Sequence, residues 1–99
     1  MSLTLIVTRD VEPRFRGFLA SSMQEIAPGV YVNPRMNPGV RDRIWTVLND
    51  WFAQRGGGSI IMAVHEPKTI GGLSLKTLGL PPRELSDVDG LLLVRRGVD

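Results

Sequence analysis

Apolar residues alternate at the start of the chain and then recur at helical spacing. Residues 3–8 alternate between two sets, which predicts a strand with one better-buried face: Leu3, Leu5 and Val7 against Thr4, Ile6 and Thr8. From residue 12 the apolar residues follow the helical period of about 3.6 residues, so residues 12–26 are predicted to form an amphipathic helix. Its stripe is Phe15, Phe18, Leu19, Met23 and Ile26. Pro28-Gly29 stops this helix, and residues 30–32 follow as a short strand.

The second half of the chain repeats the change of period. Residues 33–39 have turn chemistry and are predicted to form a loop, and residues 38–54 form a second helix that stops at Gly56-Gly57-Gly58. This glycine triplet follows a helix, whereas phosphate-binding glycine loops precede one, so it is interpreted as a helix stop. The remaining segments are a central apolar strand at 59–65, an antiparallel neighbour at 73–78, a rigid acidic connector at 81–90 and a last strand at 91–94.

The predicted order of elements is β-α-β-α-β-β. Two helices on one face of a mostly antiparallel sheet are typical of an α+β ferredoxin-like sandwich, here with an additional terminal strand. The 99 residues make one domain, 1–99. A chain of this length buries only roughly two-thirds of its surface when folded alone, so oligomer formation would stabilise it.

Composition excludes several classes. A hydrophobic content of 42% with 22% charged residues is that of a globular protein. The absence of cysteine excludes disulfides and thiolate chemistry. No apolar run approaches the roughly 18 residues that a membrane span needs, and the N-terminus lacks the features of a signal peptide. We therefore expect a cytoplasmic protein with no membrane partner.

The positive charge is carried almost entirely by arginine. The net charge is only +2, but all of the 12 basic residues except Lys68 and Lys76 are arginine. This enrichment indicates either phosphate binding by planar guanidinium groups or a GC-rich genome. Three clusters stand out: Arg9, Arg14 and Arg16; Arg35, Arg41 and Arg43; Arg95 and Arg96.

The first cluster lies at a strand-to-helix corner. Arg9 and Asp10 end the first strand, and Pro13 opens the helix that carries Arg14 and Arg16. Such a corner exposes backbone N–H groups and cationic side chains, which favours a phosphodiester as ligand. An ordinary capped helix with solvated charges is the alternative.

Catalytic patterns are sparse. His65 is the only histidine and is expected to be a surface or half-buried residue, while Asp87 and Asp89 are explained by turn formation before Gly90. Asp10 is the only carboxylate at a strand end beside arginines. One carboxylate does not hold Mg²⁺ firmly, but two copies of Asp10 facing each other across a twofold axis, with phosphate, would do so. A catalytic or magnesium site at Asp10 therefore requires a dimer.

Several stretches together resemble the CRISPR-associated protein Cas2 in its type I-E subfamily. They cover nearly the whole chain in order, with similar spacing: residues 7–19, 29–32, 40–45, 61–63, 77–80 and 87–91. The resemblance implies a ferredoxin-like homodimer whose C-terminal strand crosses to the partner's sheet. It also implies a central place in the spacer-acquisition complex, between two dimers of the CRISPR integrase. There the dimer supports the duplex part of the captured protospacer DNA, and the integrase performs strand transfer.

The resemblance and the rim position of the arginines together predict the DNA contacts Arg9, Arg14, Arg16, Arg41 and Arg83. Two positions depart from the family pattern. Arg9 stands where relatives commonly carry an acidic residue, and Asp10, one position later, points to the other side of an extended segment. Pro82-Arg83 replaces an arginine pair, so one phosphate contact is lost or moved.

A non-catalytic DNA-binding bridge is accordingly the favoured function. Two alternatives stay open. More distant relatives are described as metal-dependent nucleases, which predicts an endonuclease for RNA or DNA that uses Asp10 and Mg²⁺. A single-stranded RNA-binding module on a similar sheet would instead need exposed aromatic residues on the sheet face.

The last strand is apolar on both faces. Such a strand is expected to be covered on both sides, and as a free edge it would promote aggregation. Pairing with the other protomer's sheet would cover it, and the residues after it would dock the integrase by strand addition. The predicted partner-binding residues are Leu91, Leu92, Leu93, Val94, Arg95 and Arg96.

Overall fold

The computed structural model describes residues 2–80 together with the backbone of residues 84–88 and 91–95. These residues form seven strands, two α-helices and a 3-10 turn at Ile70–Gly72. The strands are β1 Ser2–Arg9, β2 Gln24–Ala27, β3 Val30–Met36, β4 Ser59–His65, β5 Leu73–Leu78, β6 Glu84–Val88 and β7 Leu91–Arg95. The helices are α1 Pro13–Ala20 and α2 Pro38–Gln54. Neither helix is long and apolar enough to cross a membrane.

Five strands form one antiparallel sheet in the order β2-β3-β1-β4-β5. Its first six elements run β-α-β-β-α-β, so the predicted ferredoxin-like α+β fold is confirmed. The fifth strand, β5, pairs antiparallel with β4 from Ile60↔Leu78 to His65↔Leu73, as predicted for residues 73–78.

The core lies between the two helices and one face of the sheet. On β1 this face carries Thr4, Ile6 and Thr8, which are buried, whereas Leu3 is exposed on the other side. The alternation predicted for the first strand is therefore confirmed, and its buried set contains two threonines. The main buried residues are Ile6, Phe15, Leu19, Tyr31, Met36, Ile44, Leu48, Ile60 and Met62.

The first helix is shorter than predicted. It ends at Ala20, and residues 24–27 form the edge strand β2, so the predicted helix over 12–26 was wrong beyond its second turn. The Ser21 hydroxyl donates to the Phe18 carbonyl at 2.6 Å, an alternative to continued helical bonding. Ile26 is 61% exposed, although its spacing fits the apolar stripe. Pro28-Gly29, with Gly29 at φ 77°, is a hairpin turn between β2 and β3.

Residues 33–36 also differ from the prediction, because β3 continues to Met36. Pro34 has no N–H to donate to a sheet. The pairing of β1 with β3 becomes irregular between Ser2↔Met36 and Thr4↔Asn33, so that an additional residue of β3 bulges at this point. Proline is tolerated at such bulges. The second helix, by contrast, has the predicted bounds.

The predicted connector at 81–90 contains a strand. Residues 84–88 form β6, which pairs antiparallel with β7 from Glu84↔Arg95 to Val88↔Leu91 as a separate two-stranded sheet. The last strand is thus confirmed as a strand. Its exchange between protomers stays a prediction.

Candidate functional site

The end of β1 makes a tight turn, formed by Arg9, Asp10 and Val11 and called the β1 corner below. Asp10 adopts a left-handed backbone conformation at φ 56°, which aspartate tolerates better than most residues. Gly58, at φ 73°, packs so closely that a Cβ atom there would overlap the carbonyl oxygens of Arg9 and Asp10. Gly79 in turn packs against the Gly58 carbonyl and the Ser59 backbone. Three turns from distant parts of the chain therefore fix the β1 corner backbone against backbone.

Two open cavities meet at the β1 corner. The smaller, about 250 Å³, is lined by Thr8, Asp10, Val11, Arg16, Pro28 and Gly29. The larger, about 580 Å³, extends from the same residues toward Val30, Ser59, Ile61 and Leu80 and includes Arg9. Asp10 lies on both, and Arg9 and Asp10 are exposed. The β1 corner thus presents one carboxylate and one guanidinium group to solvent.

Arg14 is exposed but held in place. Its guanidinium carbon lies 4.6 Å from the centre of the Trp51 ring and 5.7 Å from that of Phe15. Trp51 also contacts Phe15 edge-on, with ring centres 5.5 Å apart. Stacking on aromatic rings fixes an arginine without neutralising its charge. Arg14 therefore offers a preoriented positive group at the start of α1.

Arg16 lies on the other side of Phe15, in a polar cluster. Its Nη2 atom is 3.5 Å from Oε2 of Glu25, and that same oxygen accepts the Gly29 N–H at 2.9 Å. The Gly29 hydrogen bond lowers the pKa of Glu25, with smaller contributions from Tyr31 and Arg16. Tyr31 and Glu25 raise the pKa of Arg16, and burial raises that of Tyr31. Glu25 is thus ionised at neutral pH beside a permanently charged arginine.

Arg41 is placed differently from the other predicted DNA contacts. It lies near the start of α2, at the end of the sheet opposite the β1 corner, and its side chain is only 14% exposed. Its Nη2 is 3.3 Å from Glu66 Oε1, and its Nε is 3.6 Å from Asp42 Oδ1. The charge of Arg41 is compensated there, and the residue is not brought together with Arg14 and Arg16.

The remaining predicted residues fall at the C-terminal end. Arg83 and Arg96 lie outside the described residues, as does Asp89. For Leu91, Leu92, Leu93, Val94 and Arg95 the structure gives the backbone of β7 and no side-chain contacts. The predicted integrase and partner contacts are therefore not tested.

A metal site within one chain finds no support among the described side chains, where no three His, Asp or Glu residues converge. Asp10 directly follows Arg9 in the chain, and a single carboxylate leaves most of the octahedral shell of Mg²⁺ to other ligands. The described side chains of one protomer thus do not fit this ion. His65 is exposed at the end of β4, as expected.

The supports of the two α1 arginines were not predicted from the sequence. Glu25 was assigned to the helix and Trp51 to the core face, and neither carries a local signal of its contact with an arginine. Glu25 and Gly29 are four positions apart, and this spacing indicates their hydrogen bond only once the hairpin turn at Pro28 is known.

The chain matches a known protein family. Residues 3–93 match the model of the family described as CRISPR-associated protein (Cas_Cas2CT1978). The match covers almost the whole chain, including both helices and the five strands of the main sheet.

Proposed function

Because the chain belongs to this family of CRISPR-associated, Cas2-type proteins, we propose that it is a non-catalytic structural subunit of the CRISPR adaptation complex. In this proposal it belongs to the type I-E subfamily and acts in the cytoplasm as a homodimer. The dimer bridges two integrase dimers and binds the protospacer duplex through phosphate contacts.

The arginine pair of α1 carries the proposal for DNA. Arg14 and Arg16 are exposed and flank the buried Phe15, and each is held by a neighbour that leaves most of its guanidinium donors open. Guanidinium groups bind phosphate oxygens well, and phosphate contacts position DNA without reading its sequence. Arg9, exposed at the β1 corner, extends this surface, and we include Arg83 in it by family resemblance. We leave Arg41 out of the proposed contact set, because it is paired with Glu66 and Asp42.

A salt titration tests the DNA contacts. Arg14→Ala and Arg16→Ala are each expected to weaken duplex binding and to lower the slope of log affinity against log salt by roughly one unit. Lys68→Ala is the matched control, because it removes one exposed positive charge from the turn after β4, at the opposite end of the sheet. Unchanged slopes in both arginine variants would remove α1 from the DNA surface.

The homodimer is supported by the face of the sheet that neither helix covers. The helices cover one face, and the other is apolar and half-buried in the single chain. We call this second surface the outer face; it comprises Leu5, Val7, Val32, Ile61, Ala63 and Leu75. A contiguous apolar surface of this kind favours association. A second copy of the chain, with its C-terminal strand exchanged, would cover it.

The integrase contact is proposed for the segment after β7. Deleting residues 91–99 should abolish the dimer, whereas deleting residues 95–99 should spare it and weaken integrase binding. Light scattering of both truncations, with and without the integrase, measures the two effects separately. A folded monodisperse monomer lacking residues 91–99 contradicts strand exchange, and full integrase binding without residues 95–99 contradicts the docking role.

A magnesium-dependent endonuclease is the second candidate, favoured by the exposed carboxylate of Asp10 between two cavities. It would need Asp10 from both protomers, and the adjacent Arg9 places a positive charge beside any bound cation. We expect no metal-dependent cleavage and normal spacer acquisition in Asp10→Asn, a variant that retains the left-handed turn. Magnesium-dependent cutting of DNA or RNA that disappears in this variant would contradict the non-catalytic proposal.

A single-stranded RNA-binding module fits the structure less well. That function requires aromatic rings displayed on the open sheet face. All six aromatic residues lie in the described part of the chain. Five are on the helices and Tyr31 is on the buried side of the sheet.

A further inference from the structure

Glu25 is anchored independently of the arginine that it contacts. Its Oε2 atom accepts the Gly29 N–H at 2.9 Å, a shorter and better contact than the 3.5 Å separating it from Arg16 Nη2. The carboxylate is thus fixed to the backbone of the β2–β3 hairpin. Arg16 belongs to a different element, α1, and remains 53% exposed.

Tyr31 is the buried member of the cluster with Arg16 and Glu25. It is fully buried, and its hydroxyl oxygen is enclosed with no partner at hydrogen-bonding geometry. Glu25 is the register partner of Tyr31 across β2 and β3, so the two side chains lie on the same face of the sheet. A buried hydroxyl without a partner is unfavourable, because it has lost its hydrogen bond to water. A small movement of Arg16 or Glu25 toward it would recover that hydrogen bond.

We propose that Glu25 is a positioning residue for Arg16, with Tyr31 as a second support. Together they hold the guanidinium at the rim of the smaller cavity, beside Thr8 and Gly29, with its remaining N–H donors directed to a DNA phosphate. This role rests on the proposed DNA-binding function. It extends that function to residues that would not themselves touch DNA.

The direction of the change in DNA affinity distinguishes a positioning role for Glu25 from a purely repulsive one. A carboxylate next to a phosphate-binding arginine also repels phosphate and partly neutralises the arginine. If Glu25 acted only as a competing charge, its removal would tighten DNA binding. If it positions Arg16, its removal weakens binding even though the protein becomes more positive.

The experiment measures binding of the full-length protein to a short DNA duplex of random sequence at fixed salt. Glu25→Gln retains an oxygen for the Gly29 N–H and removes the charge. Glu12→Gln is the matched control, because Glu12 is another partly exposed carboxylate beside α1, paired at 3.8 Å with Arg55. Each variant is also combined with Arg16→Ala, and thermal unfolding checks that the fold is retained.

We expect Glu25→Gln to weaken binding about tenfold, the size of one lost charge-assisted hydrogen bond, while Glu12→Gln binds at least as tightly as the parent protein. In the Arg16→Ala background the effect of Glu25→Gln should vanish. Equal or tighter binding by Glu25→Gln overturns the positioning role, as does a loss that persists without Arg16.

Two further outcomes distinguish a failure of the positioning role from a failure of the proposed DNA-binding function. Full affinity and an unchanged salt slope in Arg16→Ala contradict the DNA contact itself, and the positioning role with it. A loss in Arg16→Ala without one in Glu25→Gln contradicts the positioning role alone. If Glu25→Gln does not fold, Glu25→Asp decides by the same criteria, because it keeps the charge while its carboxylate, one methylene shorter, reaches Gly29 and Arg16 less well; a loss of about threefold is expected.

Discussion

The two ends of the five-stranded sheet are closed by different chemistry. At the β1 corner, Gly58 and Gly79 bring three turns together mainly through backbone contacts, with the Phe52 ring also lying against Gly79. At the opposite end, the side chain of Arg41 joins the start of α2 to Glu66 after β4. The first end leaves Arg9, Arg14 and Arg16 exposed, because no arginine is needed to close the turns. The second uses an arginine for structure, so similar arginine clusters in the sequence have different roles.

The largest expected loss of stability comes from adding a Cβ atom at Gly58, against the β1 corner. Gly58→Ala should destabilise the protein by about 3 kcal/mol, since the new Cβ would overlap two carbonyl groups and strain a left-handed residue. Gly57→Ala is the control, because a Cβ at Gly57 meets no atom within 4 Å. Urea unfolding measures both. Equal stability of the two variants would show that the backbone contact at the β1 corner is not tight.

Arg41 tests the other end of the sheet. Arg41→Met keeps the apolar stem of the side chain but leaves Glu66 without its partner. We therefore expect a loss of about 1 kcal/mol in unfolding free energy. Duplex DNA affinity should stay unchanged in the same variant. Normal stability combined with weak DNA binding would instead indicate that Arg41 contacts DNA and does not stabilise the fold.

The backbone at Asp10 gives a smaller effect. Asp10→Val should cost about 1 kcal/mol, because a β-branched residue is disfavoured at φ 56°, whereas Asp10→Asn should leave stability unchanged. Comparing their denaturation midpoints isolates the backbone requirement from the charge. A loss of stability in Asp10→Asn would show that the carboxylate charge itself supports the β1 corner.

The smallest effect is a pH dependence at Glu25. Its pKa is lowered in the folded protein, so its contribution to stability is complete above its usual pKa of 4.5 and disappears as the pH falls through the lowered value. The difference in unfolding free energy between the parent protein and Glu25→Gln should therefore shrink on acidification from neutral pH to about pH 3. A difference that is constant over this range would mean that the Gly29 contact does not stabilise the carboxylate.

Much of the fold follows from local pattern. The second helix begins at Pro38 and ends before the glycine triplet as predicted, because the apolar spacing, the proline and the glycines all agree there. Ile26 misled the prediction, since it continues the helical spacing of α1 although the chain has already turned into β2. Pro34 suggested a loop, because the bulge that accommodates it depends on pairing with β1.

The candidate site was predictable only in part. Arg14 and Arg16 were identified from their place beside Phe15, but their supports come from other elements. Trp51 lies far along the chain, and Glu25 reaches Arg16 only through the hairpin at Gly29. Such contacts arise from tertiary packing and leave no periodic signal. The same limit explains why Arg41 was grouped with the exposed arginines.

The stacking of Arg14 on Trp51 has a spectroscopic consequence. A cation 4.6 Å from the ring centre shifts the electrostatic environment of the indole. Trp51 also contacts Phe15 and Phe18, so its surroundings are otherwise fixed. Movement of Arg14 toward a phosphate would therefore change the fluorescence of Trp51, with Trp45 as a constant background. In Trp51 the protein thus carries an intrinsic optical probe beside Arg14, a residue proposed to meet DNA.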